Sequence, residues 1–242
     1  MSETYEDFSK MIDHSLLNPT LTWADLDSGI QLAIDYDVAS VCIMPYALKH
    51  CAERLAGSTV APSTTIGFPH GGHCTAIKEA EAERAIADGC VELDMVVNIS
   101  KVLSGDWDYV TQDIKAVVDV AHAAQQRVKV IFENCYLTDD MKIRLCEICG
   151  ELAADWVKTS TGYGTGGATI EDLKLMREHS PTTVQVKAAG GVRDFEGLKQ
   201  VREIGVTRVG ASRTKAILDG CCEAMGFPAR KTTAGEGKST GY

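Results

Sequence analysis

The amino-acid sequence predicts a single (β/α)8 barrel, an α/β fold of eight parallel strands ringed by helices. Three observations carry this expectation. Eight short runs rich in β-branched residues alternate with eight longer amphipathic stretches. Strands separated in this way pair in parallel through right-handed crossovers, and eight such units close a sheet. The 242 residues also match the size of that barrel, with no linker, repeat or second domain interrupting them.

The elements follow in order. A first strand is expected over 10–14 (K-M-I-D-H), then a helix over 22–36 whose Thr22 and Asp25 have capping-box spacing. Strand two covers 39–44 and its helix 46–55; strand three covers 63–68 and its helix 75–88, which Gly89 should end. Strand four, V-E-L-D-M-V at 91–96, precedes a helix over 107–125. Strand five covers 128–132, and Thr138 with two following aspartates opens a helix over 138–150 that Gly150 should stop. Strand six covers 155–159 before a helix over 170–178, and strand seven covers 183–188 before a helix over 194–204 closed by Gly205. Strand eight, R-V-G at 208–210, leads to a last helix over 214–220. Residues 1–228 thus form the barrel, and 229–242, rich in Gly, Ser and Thr, read as a flexible tail.

Composition narrows the function. A net charge of −10 argues against non-specific nucleic-acid binding, which needs basic patches over phosphates. The acidic, polar start M-S-E-T-Y-E-D-F-S-K has neither the charge nor the apolar run of a signal peptide, and no stretch is apolar enough to span a membrane. A cytoplasmic location is the expectation. The nine cysteines then read as reduced thiols packed in the interior. Cys146 and Cys149 form a C-x-x-C, but they lie inside a helical run without a second ligand pair.

The informative feature is charge inside strands. Buried parallel strands normally read as continuous apolar runs, so a charge there needs a partner. Glu92 and Asp94 share a parity and hence one face, while Lys158 and Lys187 end their strands. Strand C-termini are where barrel enzymes carry their chemistry. A nucleophilic lysine must be neutral, yet at its ordinary pKa of about 10.4 only about one in 2,500 is free at pH 7. A second ammonium about 5 Å away costs about 3 kcal/mol at an effective dielectric of about 20, or about two pKa units. Partial desolvation adds to this. Lys158 therefore reads as the nucleophile, Lys187 as the perturbing charge and Asp94 as the group that shuttles protons.

A phosphate end is also legible. Gly190 and Gly191 follow strand seven, and Gly210, Ala211 and Ser212 follow strand eight and lead into a helix, the usual place for a phosphate on these barrels. Arg213 can add a bidentate contact.

These residues lie in strings that resemble deoxyribose-phosphate aldolases: I-D-H-S-L-L-N-P-T at 12–20, I-G-F-P at 66–69, V-E-L-D-M-V-V-N at 91–98, V-K-T-S-T-G at 157–162, V-K-A-A-G-G-V-R at 186–193 and R-V-G-A-S at 208–212. The resemblance runs in order along nearly the whole chain. It implies a class I aldolase on a (β/α)8 barrel, working without cofactor or metal, that joins acetaldehyde reversibly to glyceraldehyde 3-phosphate. It further implies Lys158 as the Schiff-base lysine, Lys187 as the second lysine, Asp94 as the proton-relay acid, and Gly190, Gly191 and Ser212 as phosphate-loop positions; Gly162 is a further expected substrate-binding residue. A homodimer is the expected assembly, with small phosphorylated sugars or aldehydes as partners and neither nucleic acid nor membrane. The chain departs from the pattern at Tyr163 and Arg213, where some members carry a lysine and a second serine, and at Asn134, where many carry threonine. Some members also end in a tyrosine, which makes Tyr242 a candidate for proton transfer.

Rival readings are a Schiff-base aldolase of other donor or acceptor specificity, and a non-catalytic barrel that binds sugar phosphates. The G-x-G-x-x-G of Gly162, Gly164 and Gly167 nominally fits a dinucleotide fingerprint, but Lys187 stands where that motif wants an acid. His70, His73 and Cys74 raise a metal-dependent aldolase, yet their spacing is loose and no carboxylate partner is evident. G-K-S-T at 237–240 lacks the first glycine of a P-loop.

Overall fold

The computed structural model describes residues 3–232 and 234. Its eight strands are β1 (Ile12–Leu16), β2 (Ser40–Ile43), β3 (Ala61–Ile66), β4 (Glu92–Val96), β5 (Arg127–Ile131), β6 (Trp156–Lys158), β7 (Gln185–Ala189) and β8 (Val206–Ala211). They form a closed parallel barrel in sequence order, with β8 pairing back onto β1.

Ten helices accompany them among the described residues: α1 (Glu6–Ser9), α2 (Trp23–Asp35), α3 (Leu48–Leu55), α4 (Thr75–Ala87), α5 (Ile99–Leu103), α6 (Trp107–Ala123), α7 (Asp139–Glu151), α8 (Ile170–His179), α9 (Phe195–Glu203) and α10 (Thr214–Met225). The capping box at Thr22 and Asp25 forms as its spacing implies, and Thr138 caps α7 by accepting from the Met141 N–H. Gly89 and Gly205 take left-handed backbone just beyond α4 and α9, a conformation that favours glycine. The core is the belt of aliphatic side chains between barrel and helices, with Phe8, Ile30, Leu93, Ile114, Phe132 and Leu198 fully enclosed.

Several details differ from the sequence reading. Strand β1 lies two residues later, because Lys10 closes α1 and turns its ammonium to Asp37 at 2.6 Å; parity is kept, so the faces are unchanged. Helices α1 and α5 are too short to leave a periodic pattern. Gly150 lies inside α7 and Gly220 inside α10. A Cβ on Gly150 would meet the Pro181 ring at 3.0 Å, so it is a packing glycine rather than a helix stop, and α10 runs on past the expected end at 220 to Met225. Two cysteines, Cys74 and Cys135, are exposed; the other seven are buried, Cys146 and Cys149 among them. Of the expected tail, Arg230 stacks over the Tyr5 ring at 4.1 Å, while 233 and 235–242 lie outside the described residues.

Candidate active site

Seven charged side chains meet inside the barrel. Asp13 comes from β1, Glu92 and Asp94 from β4, Lys129 from β5, Lys158 from β6, Lys187 from β7 and Arg208 from β8. All are buried. Their convergence follows from strand parity and register: Asp94 stands beside Lys129, and Lys158 stands directly opposite Lys187. Lys187 is the third of five residues in β7 rather than its end, but the register brings it level with Lys158.

Asp94 is the hub. Its Oδ2 accepts from Lys158 Nζ and Lys187 Nζ, each at 2.7 Å, and its Oδ1 accepts from Lys129 at 3.0 Å. Asp13 holds Lys187 at 2.6 Å and Arg208 at 2.6 Å. Glu92 takes a two-pronged contact from Arg208, at 2.9 Å on each prong, and Lys129 at 2.5 Å. The half-exposed Arg127 reaches Glu92 from the edge of the barrel.

Three buried carboxylates thus face four buried cationic groups, one more than they neutralise. An unmatched charge in this setting is expensive, so one cation is under pressure to lose its proton. Arg208 and Lys129 are held above their ordinary range: burial opposes this, but the carboxylates around them outweigh it. Lys187 is also raised, since Asp13 and Asp94 outweigh its burial. Lys158 alone moves down. Burial is the larger cause, Asp94 pulls against it, and the Lys187 ammonium pushes further down. Lys187 is therefore the lesser perturber; desolvation leads. Asp94 is held well below the usual carboxylate range, because Lys129, Lys158 and Lys187 outweigh its burial.

Lys158 and Lys187 open onto a cleft at the top of the barrel, lined also by Asp13, Cys42, Thr161, Gly162, Gly190, Gly191, Arg193, Gly210, Ser212 and Arg213. Burial pushes the Cys42 thiol up to about 11, which keeps it a neutral thiol beside the amines. Gly162, Gly190 and Gly191 have positive φ, turning their loops in a way other residues resist. Gly210 has ordinary backbone, and a Cβ there would lie in van der Waals contact with Lys187 Cε, at 3.5 Å. The structure thus gathers every sequence-predicted site residue into one cleft except Asp94, which lies just beneath Lys158, and Tyr242, which is outside the described residues.

The dinucleotide-like glycines have a packing explanation. A Cβ on Gly167 would sit 2.8 Å from the Gly190 backbone, so the two loops touch directly. Tyr163, at a departure position, donates its hydroxyl to Leu17 O at 2.7 Å and packs edge-on against Phe68, tying its loop to the one after β1. His73 does have a carboxylate neighbour, Glu81 at 3.7 Å, contrary to the sequence reading. Among the described residues, no three His, Cys, Asp or Glu side chains converge on a metal-sized site.

Sequence reasoning overlooked Asp13, Lys129 and Arg208. The signal was present, since each is a charge within a β-branched run (M-I-D-H, R-V-K-V-I, V-T-R-V) and the rule that singled out Asp94 applies equally to them.

Comparison with known proteins agrees with this architecture. Residues 8–227 match the model of the DeoC/LacD family of aldolases. The chain is 68% identical over 230 residues to the curated deoxyribose-phosphate aldolase of Rhodopirellula baltica, covering 95% of each, and 46% identical to that of Thermococcus gammatolerans, covering 90% of this chain and 98% of the relative. Among solved structures, the tetrameric deoxyribose phosphate aldolase of Aeropyrum pernix superposes with a TM-score of 0.82 at 28% identity, covering 91% of this chain and 93% of that one. With nearly its whole length matched and its barrel charges so arranged, this chain belongs to the DeoC/LacD family of aldolases.

Proposed function

We propose that the chain reversibly cleaves 2-deoxy-D-ribose 5-phosphate to acetaldehyde and D-glyceraldehyde 3-phosphate through a Schiff base on Lys158. The observation that carries the mechanism is the one lowered amine in a network that holds its other cations charged. Family membership and the names of the relatives above carry the lyase class and the substrate. Neutral Lys158 Nζ attacks the C1 aldehyde, and loss of water from the carbinolamine leaves an iminium that draws electrons from the C2–C3 bond. That bond breaks as the C3 hydroxyl loses its proton, giving glyceraldehyde 3-phosphate and an enamine. Protonation of the enamine at C2 and hydrolysis release acetaldehyde and restore the amine. Asp94, bonded to both lysines, passes the protons, and Lys187 keeps a positive charge against Lys158 throughout. The test is direct: purified enzyme and 2-deoxyribose 5-phosphate should yield acetaldehyde and the triose phosphate in equal amounts. Absence of cleavage would refute the assignment.

Gly190, Gly191, Gly210, Ser212 and Arg213 would hold the substrate phosphate, with Gly162 closing the cleft beside them. Support comes from the positive-φ glycines and from α10, whose twelve residues begin directly after Arg213. Ser212→Asp should raise KM for the phosphorylated substrate at least about tenfold through like-charge repulsion, while leaving KM for unphosphorylated deoxyribose within about twofold. Equal effects on both would place the phosphate elsewhere.

The tail enters the same scheme. Tyr242 at the end of 229–242 would place a hydroxyl for proton transfer at the donor's methyl carbon, at little entropic cost for each residue of tether. Tyr242→Phe should slow exchange of those methyl protons in deuterated water about tenfold or more, with Schiff-base formation at Lys158 unchanged. Unaltered exchange would remove the tail from the mechanism. For assembly we retain the homodimer, supported by exposed Trp23 and Tyr46, which stack edge-on at 5.7 Å and offer an apolar face. A cytoplasmic location fits nine unpaired cysteines.

A further inference from the structure

Among the described residues, two buried acids lie outside the network and outside the mechanism above: Asp113, paired with buried Lys78, and Glu133. Glu133, two residues beyond the end of β5, is almost fully enclosed at 2% exposure. Its backbone is left-handed (φ 60°, ψ 61°), a conformation that costs energy in any residue but glycine and that recurs at functional sites. Both of its carboxylate oxygens face Thr161. The Thr161 N–H donates to Oε1 at 3.2 Å and to Oε2 at 3.3 Å, and the Thr161 hydroxyl donates to Oε2 in a short hydrogen bond. The enclosure is tight, since a Cβ on Gly164 would stand 3.0 Å from Glu133 Cδ. Burial pushes the Glu133 carboxyl up, while its hydrogen bonds from Thr161 act in the opposite direction.

Thr161 lines the cleft three residues beyond Lys158, and its hydroxyl has only three hydrogen-bonding opportunities: one O–H and two lone pairs. The O–H is committed to Glu133, and the Tyr163 N–H donates into one lone pair at 2.9 Å. The Thr161 oxygen therefore keeps a single lone pair for a group that enters the cleft this residue lines. Thr161 can accept there but cannot donate.

We propose that Glu133 is a positioning residue that sets this polarity, making Thr161 a one-way acceptor for a hydroxyl on the aldehyde half of the substrate and so a determinant of acceptor specificity. This rests on the Schiff-base aldolase reading. The group it would read is the C2 hydroxyl of the acceptor aldehyde, which lies between the reacting carbon and the phosphate. An acceptor lacking that hydroxyl leaves the Thr161 lone pair unpaired and out of water, and sites of this kind discriminate strongly against the missing group. An amide in place of the carboxylate keeps an acceptor for the Thr161 N–H but turns an N–H toward the Thr161 oxygen, which releases the hydroxyl proton toward the cleft.

The experiment compares kcat/KM in the synthetic direction for D-glyceraldehyde 3-phosphate and for its analogue with fluorine in place of the C2 hydroxyl, a group that can accept but not donate, with acetaldehyde as donor. The parent enzyme should prefer the hydroxylated aldehyde at least about tenfold. Glu133→Gln should reduce the preference to within about threefold, and Glu133→Asp, which withdraws the carboxylate by one methylene, should shift it in the same direction should the amide fail to fold. Thr161→Val should lose the preference to the same extent, Thr161→Ser should retain it, and Glu133→Gln/Thr161→Val should be no worse than either single change, because both act through one contact. A parental preference below threefold, or one that survives both Glu133 variants, would overturn the proposal. So would equal loss on both aldehydes, the mark of a merely structural carboxylate. Borohydride trapping of acetaldehyde on each variant separates the two claims. If the parent does not trap, the Schiff-base reading fails; if trapping persists and the preference is unchanged, only the role of Glu133 fails.

Discussion

Lys158→Leu should abolish turnover, lowering kcat by at least about 10⁴-fold, the scale on which removal of a covalent nucleophile ordinarily acts. The fold should survive it. Taking away Lys158 leaves Asp13, Glu92 and Asp94 facing Lys129, Lys187 and Arg208, so each buried carboxylate keeps a cation. Leucine also fills most of the aliphatic volume of the lysine stem. Circular dichroism and the melting temperature should therefore stay near the parent's while cleavage of 2-deoxyribose 5-phosphate vanishes. A variant that melts far lower would mean that the amine is charged and structural; one that retains turnover would mean that the nucleophile is another group.

Lys187→Leu should lower activity at pH 7 by about a hundredfold and return much of it as the pH rises. Two influences on Lys158 change together. A like charge is lost, worth about two pKa units if it lies about 5 Å away at an effective dielectric of about 20. Asp94, whose Oδ2 is shared between the two lysines, then belongs to Lys158. Both changes raise the pKa of Lys158. Charge balance leads to the same outcome, because three carboxylates would face three cations only with Lys158 protonated. The reacting form is the neutral amine, so its fraction falls at neutral pH and grows as the pH climbs toward the new value. The rising limb of kcat against pH should move upward by about two units. An unmoved limb with a uniformly depressed rate would show that Lys187 acts by shape or hydrogen bonding rather than by its charge.

Much of this site was legible because charges in strands are conspicuous. A buried parallel strand has little tolerance for Asp94 or Lys158 unless something answers them, and alternation along V-E-L-D-M-V puts Glu92 and Asp94 on one face before any fold is known. The glycine loop at Gly190 and Gly191 was legible from its place after β7, whereas Gly210, expected just past β8, lies within it. What stayed hidden depends on which strands become neighbours through register. That Lys158 stands level with Lys187, and that one oxygen of Asp94 serves both, is a property of three strands at once. The balance of causes was hidden too. Sequence spacing suggested Lys187 as the main perturber of Lys158, whereas enclosure at the barrel's mouth exceeds it. Glu133 gave no signal, because a left-handed glutamate in a loop looks in sequence like any solvated one. Gly150 misled in the opposite direction, since a glycine kept for close packing and one kept for a helix stop are the same letter.

The central claim is that Lys158 forms a covalent imine with the donor aldehyde, and reductive trapping measures it most directly. The native enzyme is incubated with acetaldehyde, reduced with borohydride, digested and mapped by mass spectrometry. The account predicts one ethyl group per chain, on the peptide containing Lys158, with loss of activity in proportion to labelling. An ethyl group on Lys187 instead, or labelling confined to exposed lysines while activity persists, would contradict it.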